Sequence, residues 1–553
     1  MNDEVKRLIR KYALRNAVKF EGECTVGPVM GKVMGESEVC RKDPQGTKQM
    51  IEEIVEDVNL MSYEDQVAEL KKVLPEYFEE QEVEDTSRLP ELEGDNIVMR
   101  MAPYPSGPLH IGNARMAVLN DEYVKRNGGK LILVYDDTIG SAQKKPLLDA
   151  YDLIKDGLEW LGVEWHEVHY KSERMEIYYE HGEKLLAEGE AYVCECSAEK
   201  LRAHREKGEE CEHRNRATED NLKHWKAMLR GAFDEGEAVV RIKTDMQYPN
   251  PAFRDRVLFR ISKAPHPLVG DKYHVWPLLE FSWAVDDHLL GMTHILRGKD
   301  LMIEDEMEKY IWDIFGWKHR EFLHYGMLRL KEFKLSKSDF QRKLKKKELQ
   351  GWDDPRTWSL QSLRKRGIQP EALREFILDF GMSLTDIEVP ASKLYAKNRE
   401  IIDERANRYY FVKDPVKLTL KGELDIDIAE IPRHPDDHKR GNRELKVDKT
   451  IYIPKQEYEE NLGKEIRLKN LCNIMLSEKS AEITSIDNKD ILKIQWVPNG
   501  LECTVNMPDG SHEHGLVETT FNEVKEEDIV QFERYGFVRL IDKERNIVAF
   551  AHR

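Results

Sequence analysis

A glycine-containing turn between an apolar run and a helical segment is the feature that most constrains the fold of this chain. Residues 97–101 are apolar enough for a buried strand and lead into the turn PYPSGPLHIGN at 103–113, called the HIGN turn below. A helical pattern covers residues 114–126, and a second apolar run at 131–135 follows a glycine pair. Strand, turn, helix and strand in this order form a βαβ unit with parallel strands. The sequence therefore predicts an α/β fold around a parallel sheet.

Different patterns flank this unit on both sides. Residues 1 to about 85 carry apolar side chains at helical spacing, such as Val5, Ile9 and Tyr12, and predict an N-terminal helical extension. From about residue 409 the chain turns to short β-rich runs separated by turn residues. Several short strands with few helices predict C-terminal antiparallel β-barrels. The runs lie at 409–412, 416–420, 451–453, 491–497, 537–541 and 547–551.

Length and charge limit the classes of function. A chain of 553 residues has room for several domains of roughly 100–200 residues each. The net charge of −18 gives no indication of nucleic-acid binding, although an acidic protein can still carry a basic surface stripe. No apolar run approaches the roughly 18 residues of a membrane span, and the first residues lack a signal-peptide core. We therefore expect a cytoplasmic protein without a membrane partner.

The HIGN turn has the features of a phosphate site. It follows a strand of the expected parallel sheet, and ligands bind at the carboxyl ends of such strands. Gly107 and Gly112 let the backbone approach a phosphate, the following helix N-terminus favours an anion, and His110 can donate hydrogen bonds to phosphate oxygens. The alternative is a Pro/Gly turn that only joins strand to helix.

A second basic segment lies more than 200 residues downstream. Residues 334–338, called the KLSKS loop below, combine two lysines with two serines. Ammonium groups on a loop can close over a triphosphate and stabilise the charge that grows on a leaving pyrophosphate. A solvated basic loop is the alternative, but the pair of motifs in this order is more specific than either motif alone.

These motifs resemble those of a known family. PSGPLHIGN resembles the HIGH signature of class I aminoacyl-tRNA synthetases, and KLSKS resembles their KMSKS loop. GGKLILVYDDT and VDDHLLGMTHILRGKD are similar to the glutamyl/glutaminyl branch of that class. The leader YALRNAVKFEGECTVGPVMGKVMGE and the segment ANRYYFVKDPVKL resemble the archaeal form of glutamyl-tRNA synthetase. The resemblance covers nearly the whole chain.

The resemblance implies a multidomain architecture. The family has a Rossmann-type catalytic core, an inserted acceptor-binding subdomain, a helical stem-contact region and two β-barrels that bind the anticodon. The expected boundaries are 1–90 for the helical extension, 91–190 and 266–330 for the core, 191–265 for the insertion, 331–405 for the KLSKS loop and stem-contact region, and 406–553 for the barrels.

The resemblance also implies an activity. The expected reaction is the ATP-dependent attachment of L-glutamate to tRNA(Glu) through a glutamyl-adenylate, with Mg²⁺ bound to the ATP phosphates. Archaeal enzymes of this kind can also charge tRNA(Gln), and an amidotransferase then corrects the product, which implies a transient contact with that enzyme. A monomer is expected. A glutaminyl-tRNA synthetase and a catalytically inactive tRNA-binding paralogue are the alternatives.

Site residues are carried over from the matching motifs. For catalysis and ATP binding they lie in the HIGN turn and the KLSKS loop, and for glutamate binding they lie near strand ends. An arginine at position 297 favours glutamate over glutamine, because guanidinium pairs with a γ-carboxylate. The expected catalytic residues are His110, Asn113, Lys334 and Lys337; Pro103, Gly107, Gly112, Leu335 and Ser336 join them in binding ATP; Arg100, Ala102, Asp136 and Arg297 bind glutamate.

Several positions depart from the family pattern. Asn113 replaces the second histidine of HIGH, and an amide never carries the charge of an imidazolium. Asp136 is one methylene shorter than the common glutamate, and Leu279 stands where relatives often have a tyrosine. Val134 and Ile139 replace a basic and an acidic residue of many relatives. These changes put the amino-acid pocket in question and motivate the inactive-paralogue alternative.

Four soft or borderline ligands lie within twenty residues of one another. Cys194 and Cys196 form a CxC pair, and Cys211 and His213 form a CxH pair. Two such pairs can converge on a tetrahedral, structural Zn²⁺, as the family's acceptor-binding insertion also implies. The alternative is three unpaired thiols and a surface histidine.

Basic residues follow the KLSKS loop. Their density fits contact with tRNA phosphates, and a solvated helix face is the alternative. A weaker group of the same kind is Arg364-Lys365-Arg366. The expected tRNA contacts are Arg342, Lys343, Lys345, Lys346 and Lys347.

Overall fold

A computed structural model describes residues 3–19, 22–74, 89–140, 145–333 and 337–553 of the chain. The chain divides into two compact units, Met1–Pro90 and Glu91–Arg553. Among the described residues, no helix is both long and apolar enough to cross a membrane.

The first unit is helical, as the periodicity predicts. The helices bury their apolar faces in one core, to which Val5 and Ile9 contribute from the first helix and Ile51, Val55 and Val58 from the fourth. The spacing of these side chains at three and four residues places them on a single helix face. The helices are Asp3–Lys19, Val26–Glu36, Glu38–Lys42, Pro44–Asn59 and Tyr63–Val73.

The second unit begins with the predicted βαβ element. Strands Val98–Met101 and Lys130–Tyr135 pair in parallel, and the helix Ile111–Asn127 connects them. Gly128 ends this helix at φ +59°, a left-handed conformation that glycine adopts without steric cost. A third parallel strand, Glu167–Tyr170, pairs with the second. The core therefore confirms the parallel sheet expected from the sequence.

Two further parallel strands extend this arrangement. Strand His294–Gly298 lies beside the first strand, where the Thr293 N–H donates to Val98 O at 2.9 Å. It pairs in parallel with Glu321–Tyr325. The five strands thus direct their carboxyl ends to one edge, at which ligands of such sheets bind.

An antiparallel sheet interrupts the core between its third and fourth strands. Its strands are Ala191–Cys194, Val239–Ile242, Val257–Ile261 and Val275–Pro277, in that order. Helices Ala198–Lys207 and Thr218–Leu229 belong to the same insertion. The longer helices elsewhere in the second unit are Leu148–Trp160, Met175–Ala187, Leu279–Leu289, Met302–Phe315, Lys337–Lys345, Leu360–Arg366, Pro370–Leu378, Ser392–Ile402 and Lys455–Asn461.

A seven-stranded sheet contains the end of the chain. Its two border strands are consecutive in sequence and flank Tyr410, so that this segment closes the sheet on itself. The Tyr410 N–H donates to Glu518 Oε2 at 2.6 Å, which interrupts the single strand predicted there. The strands follow the spatial order Arg408–Tyr409, Ile529–Phe532, Gly536–Asp542, Ile547–His552, Gly500–Asn506, His512–Glu518 and Phe411–Lys413.

A six-stranded sheet is formed by the part of the chain between Pro415 and Ile494, before the seven-stranded sheet resumes at Gly500. Reciprocal backbone hydrogen bonds of 2.8 and 3.0 Å between Tyr452 and Val497 join its last strand back to its first. Of the strand predicted at 491–497, only Lys493–Ile494 forms. The spatial order is Thr450–Pro454, Pro415–Lys421, Ser480–Ser485, Asn473–Ser477, Glu465–Leu468 and Lys493–Ile494, and a separate hairpin pairs Ile428–Pro432 with Asn442–Lys446.

The expected C-terminal β-domains are confirmed: most strand pairs in the two sheets are antiparallel, and each sheet also contains parallel pairs. Gly500–Asn506 pairs in parallel with Ile547–His552, and Pro415–Lys421 pairs in parallel with Ser480–Ser485. Only strands joined by a short turn must be antiparallel. Here the chain leaves the seven-stranded sheet after residue 413 and returns to it at residue 500, so neighbouring strands are not all hairpin partners.

Arg366 connects the helical region to the seven-stranded sheet. Its guanidinium is 1% exposed, donates to Ala551 O at 2.8 Å and to Phe550 O at 3.3 Å, and lies 4.9 Å from the Trp358 ring. Since it is buried and hydrogen-bonded, it cannot contact tRNA phosphates. The grouping of Arg366 with the basic residues 364 and 365 was therefore wrong.

Replacing this buried guanidinium should destabilise the second unit. We expect Arg366→Ala to lower the free energy of unfolding by about 3 kcal/mol, because buried carbonyls lose their donors. Arg364→Ala is the matched control: Arg364 forms a half-exposed pair with Asp156, worth less than about 1 kcal/mol. Urea unfolding followed by tryptophan fluorescence measures both variants, and equal effects would contradict the assignment.

Candidate active site

The HIGN turn contains a histidine that caps the helix beginning at residue 111. His110 Nδ1 accepts a hydrogen bond from the Gly112 N–H at 3.1 Å, and Asn113 Oδ1 accepts one from the His110 N–H at 3.4 Å. Since Nδ1 is the acceptor, the neutral imidazole carries its proton on Nε2. Asn113 thus holds the start of the helix together.

Two glycines of the turn have no room for a side chain. A Cβ at Gly112 would lie 2.9 Å from His110 Cε1, and a Cβ at Gly107 would lie 2.7 Å from the Trp352 ring. Gly107 also has φ +146°, in the region that favours glycine. The backbone therefore determines how closely the imidazole and the indole approach the turn.

The chain that follows the KLSKS loop packs directly on the HIGN turn. The Leu360 N–H donates to Leu109 O at 2.9 Å, and the Ile111 N–H donates to Trp358 O at 3.2 Å. The Gln341 side-chain amide donates to Ser106 O. The structure therefore brings together two segments that lie more than 200 residues apart in sequence.

The KLSKS loop itself is only partly covered by the structure. Lys334, Leu335 and Ser336 lie outside the described residues. Lys337 begins the helix Lys337–Lys345, which carries the Gln341 contact to the turn, and its backbone alone is described. The helix start, but not the lysine side chains, is thus assigned to this edge of the core.

Three charged residues lie at the carboxyl ends of neighbouring parallel strands. Arg100 is the third residue of Val98–Met101, Asp136 directly follows Lys130–Tyr135, and Arg297 is the fourth residue of His294–Gly298. Each is at most 5% exposed. Ala102 follows the first strand and is partly buried, and Pro103 O accepts from the Asp136 N–H at 3.2 Å. The residues expected to bind glutamate therefore share one sheet edge.

Arg100 is held by a carboxylate of the chain itself. Its Nη2 donates to Asp287 Oδ2 at 2.7 Å, and its Nε donates to Asp287 Oδ1. Burial alone would lower the pKa of the Arg100 guanidinium, but Asp287 raises it above the ordinary value. Arg100 is therefore a permanent cation in a two-bond ion pair.

Arg297 has two acidic partners. Its Nε donates to Asp305 Oδ1 at 2.9 Å, and its Nη1 donates to Glu308 Oε1 at 2.7 Å. Burial tends to lower the pKa of Arg297, while Glu308 and Asp305 raise it above the ordinary value. Burial raises the pKa of Glu308 to about 8. Burial thus favours the neutral form of Glu308, next to the ion pair between Arg297 and Asp305.

An indole lies at the centre of these pairs. The Trp283 ring is 4.9 Å from the Arg100 guanidinium, 5.1 Å from the Arg297 guanidinium and 5.1 Å from Lys171 Nζ. Lys171 Nζ in turn lies 2.9 Å from Asp136 Oδ1. Cations favour the face of an indole, and the effect is larger away from water. We call this set the charged cluster; its members are Arg100, Asp136, Lys171, Trp283, Asp287, Arg297, Asp305 and Glu308.

Asp137 is structural rather than substrate-facing. The carboxylate is fully buried and accepts hydrogen bonds from the Ser172 N–H at 2.9 Å, the Ser172 hydroxyl at 2.7 Å and the Tyr151 hydroxyl at 2.9 Å. Burial raises the pKa of this carboxyl above its usual range. It fixes the turn after the second strand and so positions Asp136.

A cavity of about 440 Å³ opens beside Asp136. Arg205, Arg256 and Leu279 also line it. Of the positions that depart from the family pattern, Leu279 therefore faces the site. Val134 and Ile139 do not, because both are fully buried in the hydrophobic core.

The four expected metal ligands come together in the insertion. Cys194 Sγ lies 3.7 Å from Cys211 Sγ and 3.8 Å from His213 Nδ1, and Cys196 Sγ lies 3.4 Å from the same nitrogen. All four ligand atoms lie within 4.8 Å of one another. Zinc–sulfur bonds of about 2.3 Å imply sulfur–sulfur edges of about 3.8 Å in a tetrahedron. The cluster thus has the dimensions of a tetrahedral metal site.

Two further residues surround these thiols. Arg241 Nη1 points at Cys211 Sγ from 3.8 Å, and the Tyr192 hydroxyl oxygen lies 3.6 Å from the same sulfur. The hydrogen bonds with Cys194 and Tyr192 lower the pKa of the Cys211 thiol. A buried guanidinium beside a thiolate cluster offsets its negative charge and favours ligation.

The basic residues after the KLSKS loop are exposed to different degrees. Arg342 and Lys343 pair with Asp339 on the same helix, which offsets part of their charge. Lys345, Lys346 and Lys347 are exposed and follow at the helix end. The exposed end is the part of this segment that suits contact with phosphates.

A larger cavity of about 780 Å³ lies in the C-terminal region. The helix Ser392–Ile402 contributes Arg399, and the two closed sheets contribute Arg408, Lys469 and Arg534. Polar groups such as the Tyr535 side chain line the same space. Acidic residues line it too, and Arg408 pairs with Asp403 and Lys469 with Glu533, so Arg399 and Arg534 are the cations best suited to phosphates of single-stranded RNA.

Comparison with known protein families shows which family the chain belongs to. A family model described as tRNA synthetases class I (E and Q), catalytic domain, matches residues 96–404. Two models of the anti-codon binding domain of the same group match residues 406–491 and 493–541. The chain belongs to the class I tRNA synthetases of the E and Q group.

Curated relatives match this class I synthetase along its full length. The glutamate–tRNA ligase of Methanocaldococcus jannaschii is 43% identical over 559 residues, which cover 99% of each chain. That of Pyrococcus furiosus is 42% identical over 574 residues, with full coverage of both. Among solved structures, a glutamate-tRNA synthetase from Elizabethkingia anophelis is 21% identical with a TM-score of 0.40, covering 57% of this chain and 72% of that one.

Half of the residues in the charged cluster of this synthetase could not be predicted from sequence motifs. Asp287 and Arg297 lie in a segment that resembles the family, but Lys171, Trp283, Asp305 and Glu308 belong to no motif. Asp305 and Glu308 are buried acids three residues apart on one helix face. This spacing is the one local feature of the sequence that indicates a shared partner. Their common partner on a distant strand is visible only in the structure.

Breaking the Arg100–Asp287 pair should be costly. We expect Asp287→Asn to lower the free energy of unfolding by about 3 kcal/mol, because the variant leaves a buried guanidinium without its carboxylate. Asp220→Asn, at an exposed ion pair with Lys223, should leave the unfolding midpoint unchanged. Thermal unfolding by circular dichroism compares the two, and a stable Asp287→Asn protein would contradict this interpretation.

Proposed function

We propose that this protein attaches L-glutamate to tRNA with ATP, through a glutamyl-adenylate. The observation that carries the proposal is the packing of the HIGN turn against the segment that follows the KLSKS loop, at the strand ends that hold Arg100, Asp136 and Arg297. The full-length relatives named glutamate–tRNA ligase support glutamate as the amino acid.

The two chemical steps conserve atoms and charge. An α-carboxylate oxygen of glutamate attacks the α-phosphorus of ATP, and pyrophosphate leaves. A terminal ribose hydroxyl of tRNA then attacks the carbonyl carbon, loses its proton and releases AMP. Positioning and charge stabilisation provide most of the catalysis in such transfers.

The HIGN turn and the KLSKS loop bind the phosphates. His110 donates from Nε2, the helix N-terminus of residues 111–113 favours the anion, and Gly107 and Gly112 keep the backbone open to it. Asn113 supports His110 through their capping contact. Lys334 and Lys337, with Leu335 and Ser336 between them, stabilise the leaving pyrophosphate. Mg²⁺ neutralises phosphate charge.

The strand ends bind the amino acid. Asp136 pairs with the α-amino group, and Arg100 and Arg297 face the γ-carboxylate, with Ala102 beside them. All three charged groups lie in the charged cluster, so their geometry is fixed before the substrate arrives. Glutamate rather than glutamine is the substrate because guanidinium groups match a carboxylate.

tRNA is the macromolecular partner. The anti-codon binding domains and the cation-lined cavity of the C-terminal region support contact with single-stranded bases, and Lys345, Lys346 and Lys347 support contact with the acceptor stem. We propose relaxed choice between tRNA(Glu) and tRNA(Gln), with an amidotransferase acting on the second product. The enzyme acts as a cytoplasmic monomer.

Labelled-glutamate charging of separate tRNA(Glu) and tRNA(Gln) transcripts tests the proposal. We expect both transcripts to become glutamylated, and pyrophosphate exchange to require tRNA. Labelled glutamine is the control that identifies a glutaminyl enzyme. tRNA binding without charging or exchange would replace the proposal with the inactive-paralogue alternative, and charging of tRNA(Glu) alone would remove only the relaxed choice.

The insertion holds a structural Zn²⁺. Three cysteines and one histidine complete a tetrahedron, so no position remains for a substrate. We expect metal analysis of the purified protein to find about one zinc per chain. Cys211→Ser should release the metal and lower the melting temperature, whereas Cys24→Ser, outside the cluster, should retain it. Native protein without zinc would contradict the site.

A further inference from the structure

An indole fills the space beside Gly107 in the HIGN turn. A Cβ built on this glycine would lie 2.7, 3.0 and 3.1 Å from three ring carbons of Trp352. Two carbon atoms attract each other at about 3.5–4.0 Å, so a side chain at position 107 would displace the ring. The indole therefore requires a glycine here, and this requirement is separate from the access of a phosphate to the turn.

Buried hydroxyl groups hold the backbone of Trp352 in place. The Ser359 hydroxyl donates to Trp352 O at 2.6 Å, and Thr357 Oγ1 lies 2.9 Å from the same carbonyl oxygen. Both hydroxyl-bearing residues are buried. Since a buried polar group that loses its partner is costly, the loop at residues 352–359 fixes the position of the indole.

The same loop contacts the HIGN turn at a second point. Ser359 pairs with His110 as an isolated antiparallel bridge. The loop therefore supports the turn through a side chain at Gly107 and through backbone at His110. The two contacts lie only three residues apart on the turn, so both bear on where the imidazole lies.

We propose that Trp352 is a positioning residue of the ATP site. Its indole supports the turn at Gly107 and so places the imidazole of His110 where it meets the phosphates. A misplacement of about 1 Å can cost a reacting group much of its effect, even when the substituted residue does not touch the substrate. This inference deepens the proposed function and rests on it, because it takes the HIGN turn as the site of ATP.

Kinetics of Trp352→Ala test this role, with Trp352→Phe as the conservative variant. We expect Trp352→Ala to raise the KM for ATP in tRNA glutamylation about tenfold, because loss of the indole frees the turn, and to change the KM for L-glutamate less than about threefold. Phenylalanine keeps a flat apolar ring and should restore the KM for ATP to within about threefold of the wild type. Initial rates of the full-length protein at varied ATP and varied glutamate measure both constants.

Amide hydrogen exchange followed by mass spectrometry measures the turn directly, without ATP or tRNA. We expect peptides that contain residues 109–113 to exchange about tenfold faster in Trp352→Ala than in the wild type, because local opening no longer breaks the contact with the indole. Trp317→Ala is the matched control: its partly buried ring stacks on His288 at 3.9 Å rather than on the turn. It should leave the exchange of the turn and the KM for ATP unchanged.

A double-mutant cycle tests whether the indole is the reason for the glycine. Gly107→Ala introduces the Cβ that the ring excludes, and Trp352→Ala removes the ring. We expect their effects on the logarithm of the KM for ATP to combine less than additively, since the double variant no longer has the clash. Additive effects would overturn the inference.

The outcomes separate this inference from the proposed function. Unchanged exchange of the turn in Trp352→Ala, or an unchanged KM for ATP, would overturn the inference even if the wild type charges tRNA with glutamate. Faster exchange of the turn in the variant, together with a wild type that neither binds ATP nor charges tRNA, would overturn the proposed function and leave the packing role of Trp352 in place. If circular dichroism shows that Trp352→Ala does not fold, Trp352→Leu with the same readouts decides the question.

Discussion

The contact between the HIGN turn and the segment around residue 359 is the interaction on which the second unit depends. Backbone hydrogen bonds join Leu109 to Leu360 and Ile111 to Trp358, so the HIGN turn is held by chain that lies after the KLSKS loop. The same segment leads into the helix Leu360–Arg366, whose last residue is bound by carbonyls of the final strand. Backbone hydrogen bonds at the turn and the Arg366 side chain at the final strand thus connect the parallel sheet to the seven-stranded sheet.

Buried charge is the second constraint. The charged cluster places seven ionisable groups around one indole, at a sheet edge where an amino acid is expected to bind. A buried ion pair rarely stabilises a protein more than a well-packed apolar cluster does, but removal of one partner is costly. We therefore expect that each substitution of a charged residue in the cluster destabilises the protein.

Distance along the chain separates the reliable sequence inferences from the others. The βαβ element, the helical first unit and the four metal ligands each follow from one continuous segment of the sequence, where periodicity, turn chemistry and ligand spacing act directly. The sequence predicted the C-terminal sheets but not their parallel strand pairs, because strand direction depends on where the chain leaves one sheet and re-enters it. Arg366 was misassigned because its charge is visible in the sequence and its burial is not.

The sequence by itself determined the parallel core and the family, and it predicted which residues form the phosphate and amino-acid sites. Only the tertiary structure decided what those residues contact. Arg297 could face a substrate according to its motif, yet its partners Asp305 and Glu308 sit on a helix whose sequence carries no signature of the pairing. Local patterns record the forces between near neighbours, whereas a buried ion pair between distant elements exists only after the packing of those elements has excluded water from both charges.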